Sequence, residues 1–202
     1  PWGPAGGLHS WDAAPTTRTW ISGGRRQHSQ DVVLKVQSVI IISVCPGCTG
    51  ALAKHFTSAY PECNVTIFDL PKVACTAHFA LLFVFTSGDF FKDPLPAADL
   101  YMLARILHDW TDERCIELLS RIYKACKPGG SVLLVEALLN EDGSGPLTVQ
   151  LYSLNMLVQA EGRERTAAQY TTLLAGAGFT NIQHRLTGRL YDVVLGHKDE
   201  AK

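Results

Sequence analysis

The chain has 202 residues, 47% hydrophobic and 18% charged, which is enough apolar material for one ordinary domain with a core of its own. Its formal net charge is -1 and Lys and Arg gather into no run, which excludes the electrostatic footprint of a nucleic-acid or anionic-membrane binder and leaves small, weakly polar partners. No stretch approaches the ~20 consecutive apolar residues of a membrane span, and the Pro1-Trp2-Gly3-Pro4 start lacks the basic-then-apolar pattern of a signal peptide, so the expected compartment is the cytoplasm.

Residues 1–31, rich in Gly, Pro, Ser, Thr and Arg with neither helical nor strand period, read as a poorly ordered tail. From Val32 onward, short apolar runs alternate with helical stretches, the signature of an α/β domain over 32–202 in which helices wrap a parallel sheet. The first run, Val39–Val44, leads through Cys45-Pro46-Gly47-Cys48 into a helical Ala51–Ala59. That cysteine pair has the spacing of a thioredoxin-like redox motif, and with Cys63 and Cys75 it would supply four thiols for zinc, although at the spacing of no common finger. Most of the six cysteines are expected to be reduced thiols, since they form no dense disulfide framework.

Further buried strands are expected at Val65–Phe68, Leu81–Phe85, Leu100–Ala104 and Val132–Val135, each too short and too continuously apolar for a surface helix. A helix is expected over Thr111–Lys127. Thr111 can cap it, Asp112 and Glu113 suit its positive end, Lys124 and Lys127 its negative end, and Pro128-Gly129-Gly130 stops it. Cys115, Leu118, Leu119, Ile122 and Cys126 give it one apolar stripe. Two more helices follow, Leu147–Gln159 and Thr166–Ala175, the second ended by Gly176-Ala177-Gly178. The chain closes with two β-like runs, Asn181–Arg185 and Leu190–Leu195, joined at Thr187-Gly188.

Several linked motifs then carry a resemblance. Gly88-Asp89-Phe90-Phe91-Lys92-Asp93-Pro94-Leu95-Pro96 runs into Ala98-Asp99-Leu100 and on to Arg105-Ile106-Leu107-His108-Asp109-Trp110. Cys126-Lys127-Pro128-Gly129-Gly130, Leu151 to Gln159 and Glu164-Arg165-Thr166 follow in order. Together, over about Ala51 to Lys198, they resemble the catalytic half of the S-adenosylmethionine-dependent O-methyltransferases of the acetylserotonin type. The resemblance implies a Rossmann-like class I methyltransferase sheet with a C-terminal antiparallel hairpin and helices on both faces. It also implies S-adenosyl-L-methionine as cofactor, a small aromatic hydroxyl such as that of N-acetylserotonin as substrate, no metal, and a homodimer built through an N-terminal helical domain. Nothing before Val32 resembles that domain.

Methyl transfer to an aromatic hydroxyl is an in-line displacement that needs a base of pKa near 7 to remove the phenolic proton. By resemblance that base is His108, and it falls at the carboxyl end of the expected strand Leu100–Ala104, where open α/β sheets place ligands. A histidine that merely caps the following helix is the alternative. Glu136, at the end of Val132–Val135, and Glu164 match the family's orienting carboxylates, although Glu164 lies among arginines and equally suits a surface ion pair. For the cofactor, Asp69 matches the ribose acid, Gly88, Asp89 and Phe90 the adenine segment, and Arg105 a further contact; Phe90 equally suits ordinary core. Asp109, Asn155 and Gln159 match contacts to the substrate amide, and Asn155 and Gln159, four apart, share a helical face that could also be plain polar surface.

One segment departs from the pattern. Where the family has an acid and then a glycine-rich loop, Ser43 to Gly50 holds Val44 at the acid position and Pro46 and Cys48 at two glycine positions, leaving Gly47 as the expected cofactor contact and Gly50 beside it. The segment between Pro71 and Gly88 is also shorter than the family's. These departures sustain a competing reading, an inactive relative that keeps the fold as an interaction module.

Overall fold

A computed structural model describes residues 36–43, 51–70 and 84–200. The expected tail, Val44, Cys45, Pro46, Gly47, Cys48, Cys75 and the first part of the Leu81–Phe85 strand lie outside the described residues. Among those described, the strands are β1 (Ser38–Ser43), β2 (Asn64–Asp69), β3 (Val84–Ser87), β4 (Ala98–Ala104), β5 (Cys126–Glu136), β6 (Leu138–Leu139), β7 (Arg165–Thr166), β8 (Thr180–Arg185) and β9 (Asp192–His197). The helices are α1 (Ala51–Ala59), α2 (Asp112–Ala125), α3 (Leu147–Ala160) and α4 (Ala167–Gly176), with a 3-10 turn at Leu107–Asp109.

Seven strands form one sheet in the order β3-β2-β1-β4-β5-β9-β8, and β6 pairs with β7 in a separate two-stranded ladder. Neighbours from β3 to β5 are parallel, while β9 runs antiparallel to both β5 and β8. This is the expected parallel sheet closed by an antiparallel hairpin. Strand order reverses between β1 and β4, the switch point at which such sheets open a crevice beyond their carboxyl ends.

Register explains the core. Ile40, Tyr101 and Val132 lie side by side on one face, as do Ile42, Leu103 and Leu134 one step along. Against this face pack Cys115, Leu118, Leu119 and Ile122 of α2 and Tyr170, Leu173 and Leu174 of α4. At about 1.5–3 kcal/mol for each large side chain buried, this layer is what fixes α2 under the sheet. The alternate residues Val39, Ile41, Leu100 and Met102 are buried as well, as strands covered on both faces require.

Two local expectations need correction. Helix α2 ends at Ala125 rather than Lys127: Cys126 has φ -64° and ψ 132°, and β5 begins there, with Cys126 paired to Ala98. The residue before a proline is pushed toward extended backbone, so Pro128 turns Lys127 out of the helix. Thr111 does occupy the N-cap position, but its hydroxyl makes no capping bond. At α4 the capping is complete: the Thr166 side chain accepts from Gln169 N and Gln169 Oε1 accepts from Thr166 N. Among the described residues no helix is long and apolar enough to cross a membrane.

Candidate active site

The site is built where β4 leaves the sheet. Arg105 still donates its amide to Val135 O at 3.0 Å, but its φ of 59° lies in the left-handed region that non-glycine residues avoid. The chain therefore turns sharply, and Ile106 and Leu107, both fully buried, anchor the 3-10 turn that carries His108. A turn of three residues cannot satisfy its own ends. Glu136, at the carboxyl end of the adjacent β5, supplies the amide side: its Oε1 accepts from Ile106 N at 3.0 Å and from Leu107 N at 2.9 Å.

His108 is 3% exposed, and its Nδ1 lies 3.0 Å from Glu164 Oε1. The same oxygen takes an ion contact from Arg105 Nη1 at 3.5 Å, and Asp109 Oδ1 stands 3.4 Å from His108 Nε2. Glu164 is itself held from the backbone, its N–H donating to Ser153 Oγ of α3 at 3.1 Å. The Arg105 guanidinium lies between the rings of Tyr152 and Tyr191, 5.4 and 5.1 Å from their centroids. One ring nitrogen of His108 and one oxygen each of Glu136 and Glu164 come within 4.8 Å of one another.

Charge follows from this crowding. Burial pulls the His108 pKa down, but the Glu164 hydrogen bond and the charges of Glu136 and Glu164 outweigh it, so the net direction is up. Glu136 is pushed up to about 7, by burial first and by Glu164 as well, with His108 and the two backbone amides pulling the other way. Burial also raises Asp109, against the pull of His108 and Arg105. The two ring nitrogens thus face different acids, Nδ1 the Glu164 carboxylate and Nε2 that of Asp109.

At the other strand ends, Asp69 closes β2 with its Oδ1 accepting from Leu70 N at 2.7 Å, and burial raises its pKa. Gly88 follows β3 and donates to Asp69 O at 2.9 Å; a Cβ there would come 2.5 Å from Phe68 Cζ, so the position demands bare backbone. Asp89 commits its carboxylate to its own turn, accepting from Phe91 N at 2.9 Å and pairing with Lys92 at 3.1 Å, and the Phe91 bond leads the causes that lower its pKa. Phe90 packs as core, its ring 4.8 Å from Phe91 and 6.2 Å from Trp110. Asn155 and Gln159 do share an exposed face of α3, where Gln159 Nε2 donates to Asn155 Oδ1 at 2.8 Å, and α3 packs against the His108 turn. Beside Ser153, Gly162 and Arg163 opens a cleft of about 460 Å³, also lined by Leu139, Gln150 and Leu154.

Of the residues expected from the sequence, His108, Glu136, Glu164, Arg105 and Asp109 are thus drawn into one cluster. Sequence reasoning missed two that build it. Gly162 lies so close behind the turn that a Cβ would fall 2.0 Å from His108 O. Arg165 is 0% exposed, and its only sequence signal is its place beside Glu164, because arginine is ordinarily a surface residue.

A family model described as an O-methyltransferase domain matches residues 28–180. Acetylserotonin O-methyltransferase of Gallus gallus is 59% identical over 155 residues, which cover 74% of this chain and 45% of that protein. Its namesake in Homo sapiens is 56% identical over 158 residues, covering 75% and 46%. The crystal structure of human N-acetylserotonin methyltransferase in complex with SAM superimposes with a TM-score of 0.77 at 53% identity, over 81% of this chain and 48% of that one. This chain spans about half the length of the relatives it matches.

Proposed function

The chain belongs to the O-methyltransferase domain family, and from that premise we propose that it transfers a methyl group from S-adenosyl-L-methionine to an aromatic hydroxyl, with N-acetylserotonin as substrate and His108 as general base. The observation that carries this reading is the buried imidazole on the turn just past the carboxyl end of β4, with Glu164 3.0 Å from its Nδ1 and Asp109 3.4 Å from its Nε2. A histidine that served only as a helix cap would have no use for a buried acid on its far nitrogen.

The residues described fit the cofactor. Asp69 offers a half-buried carboxylate at the end of β2, the kind of group that accepts ribose hydroxyl protons, and Gly88 stands beside it with its N–H donating to Asp69 O. In this reading Asp69, Gly88 and Arg105 hold the cofactor, Asp89 and Phe90 shape the turn beside it, and Gly47 lies outside the described residues. When bound, S-adenosylmethionine supplies an electrophilic methyl carbon and leaves as a neutral thioether. His108 Nε2 takes the phenolic proton as the hydroxyl oxygen becomes a nucleophile, and Glu164 stabilises the imidazolium. Glu136 keeps the turn in place through two amides, and Asp109, Asn155 and Gln159 bind the substrate amide.

The competing reading, an inactive relative acting as an interaction module, rests on Val44, Pro46 and Cys48 in the first-strand loop. Calorimetry with S-adenosylmethionine and transfer of labelled methyl to N-acetylserotonin, on the chain and on His108→Ala, separate the two. Heat from both chains and a loss of transfer by about 100-fold or more in the variant are expected. Transfer that survives His108→Ala would overturn the base assignment, and absence of heat from the parent chain would favour the interaction module.

A further inference from the structure

Arg165 places every donor it has. Its Nε and Nη2 reach Asp112 Oδ1 at 2.8 and 2.7 Å, Nη1 reaches the carbonyls of Leu107 and Arg163 at 2.8 and 3.2 Å, and Nη2 also reaches the Trp110 carbonyl at 2.7 Å. That accounts for all five N–H groups of a guanidinium. Two of the acceptors bracket His108. The turn has no side-chain cap of its own, Glu136 holds its amide end, and on its carbonyl side the other side-chain donor is the weak Cys115 Sγ, 3.2 Å from Leu107 O. Asp112 is the first residue of α2, so the clamp ties the turn to a helix locked under the sheet.

A fully buried cation with this many partners is a poor device for stability alone, since apolar residues of the same volume generally do as well. Its neighbour gives it a purpose. Glu164 and Arg165 are consecutive, and they grip the imidazole and the backbone beneath it respectively. We propose that Arg165, braced by Asp112, is a positioning residue: it sets the peptide of His108 so that the ring stays in line with Glu164 and presents Nε2 to the substrate. Its bearing on catalysis rests on the methyltransferase reading, while its effect on the His108 ring does not.

The test follows the His108 ring by NMR in the full chain with labelled histidine, the signal being identified by its loss in His108→Ala. Two variants are titrated, Arg165→Lys, which keeps the charge and loses the fork, and Asp112→Asn, which removes the brace at a side chain 42% exposed. The charges that set the His108 titration are Glu164, Glu136 and Arg105, so a change on Arg165→Lys reports geometry. We expect the His108 pKa to fall back toward the ordinary ~6.5 in both variants. We also expect kcat for methyl transfer to drop about 10- to 100-fold with KM for S-adenosylmethionine unchanged.

An unaltered His108 titration in the folded variants would overturn the proposal, as would an unaltered kcat if the parent chain is active. Should Arg165→Lys fail to fold, Asp112→Asn decides alone. A parent chain without activity leaves the titration to judge the clamp, so failure of the functional reading and failure of the clamp give different results.

Discussion

Replacing Glu136 by Gln should make the protein more stable above neutral pH and leave it unchanged in acid. The carboxyl is fully buried and its pKa is raised from an ordinary 4.5 to about 7. Between these values the unfolded chain has released a proton that the folded chain keeps, so stability is lost as pH rises from 4.5 toward 7 and stays lost above it. A difference of about 2.5 at about 1.4 kcal/mol for each step amounts to roughly 3–4 kcal/mol. Glutamine copies the protonated acid: its carbonyl can accept from Ile106 N and Leu107 N, and its NH2 takes the place of Oε2, which has no hydrogen-bond partner among the described residues. Near pH 4.5 the two chains should melt together; by pH 8 the variant should melt roughly 10 °C higher, at about 2–4 °C per kcal/mol for a domain of this size. Thermal melts by circular dichroism at half-unit steps of pH read this directly. If the variant's stability ran parallel to the parent's from pH 5 to 8, burial would not be what governs this carboxyl.

The raised pKa of His108 predicts that the acid limb of kcat/KM lies above the ordinary histidine value of ~6.5, because the base works only when neutral. In Glu164→Gln that limb should move to lower pH as kcat falls, and a pH–rate profile whose limb stays in place would refute the pairing. Gly162→Ala must displace the His108 turn, since its Cβ would sit 2.0 Å from His108 O and 2.7 Å from the Asp109 carbonyl carbon. Activity should fall about 100-fold while denaturant melts record a loss of about 1–3 kcal/mol; an active, fully stable variant would mean the turn can yield. On α3, Leu151 and Val158 are 56% and 79% exposed. Leu151→Lys with Val158→Lys should leave stability within about 0.5 kcal/mol per site; a large drop in melting temperature would show that these side chains pack on something.

Much of this could be read from residues alone, for physical reasons that differ from place to place. The continuous apolar runs at Val39, Val65, Leu100 and Val132 have one reading, strands buried on both faces, and the structure puts a sheet strand at each. His108 and Glu136 were picked out by resemblance, supported by their place just past such runs, Glu136 at the end of one and His108 four residues beyond another, where the carboxyl ends of parallel strands meet ligands. The division of labour between Glu136 and Glu164 was not legible. Both read as orienting acids, whereas Glu164 holds the ring and Glu136 holds the backbone. That distinction depends on the β6–β7 ladder, whose two residues on each side are too few to leave a period in the sequence. Arg165 escaped notice for a different reason: burial of a cation is set by the acceptors around it, and all of these but the Arg163 carbonyl come from residues more than fifty positions away.

The small ladder has a mechanical consequence. Leu138 lies two residues beyond Glu136 and Arg165 one beyond Glu164, and the rung between Leu138 and Arg165 fastens the two acids into one rigid body. Glu164 is tied to α3 as well, its N–H donating to Ser153 Oγ at 3.1 Å, so that helix is coupled to the same frame at one point. Amide exchange across this ladder should then be slower than in the exposed turn from Glu141 to Ser144.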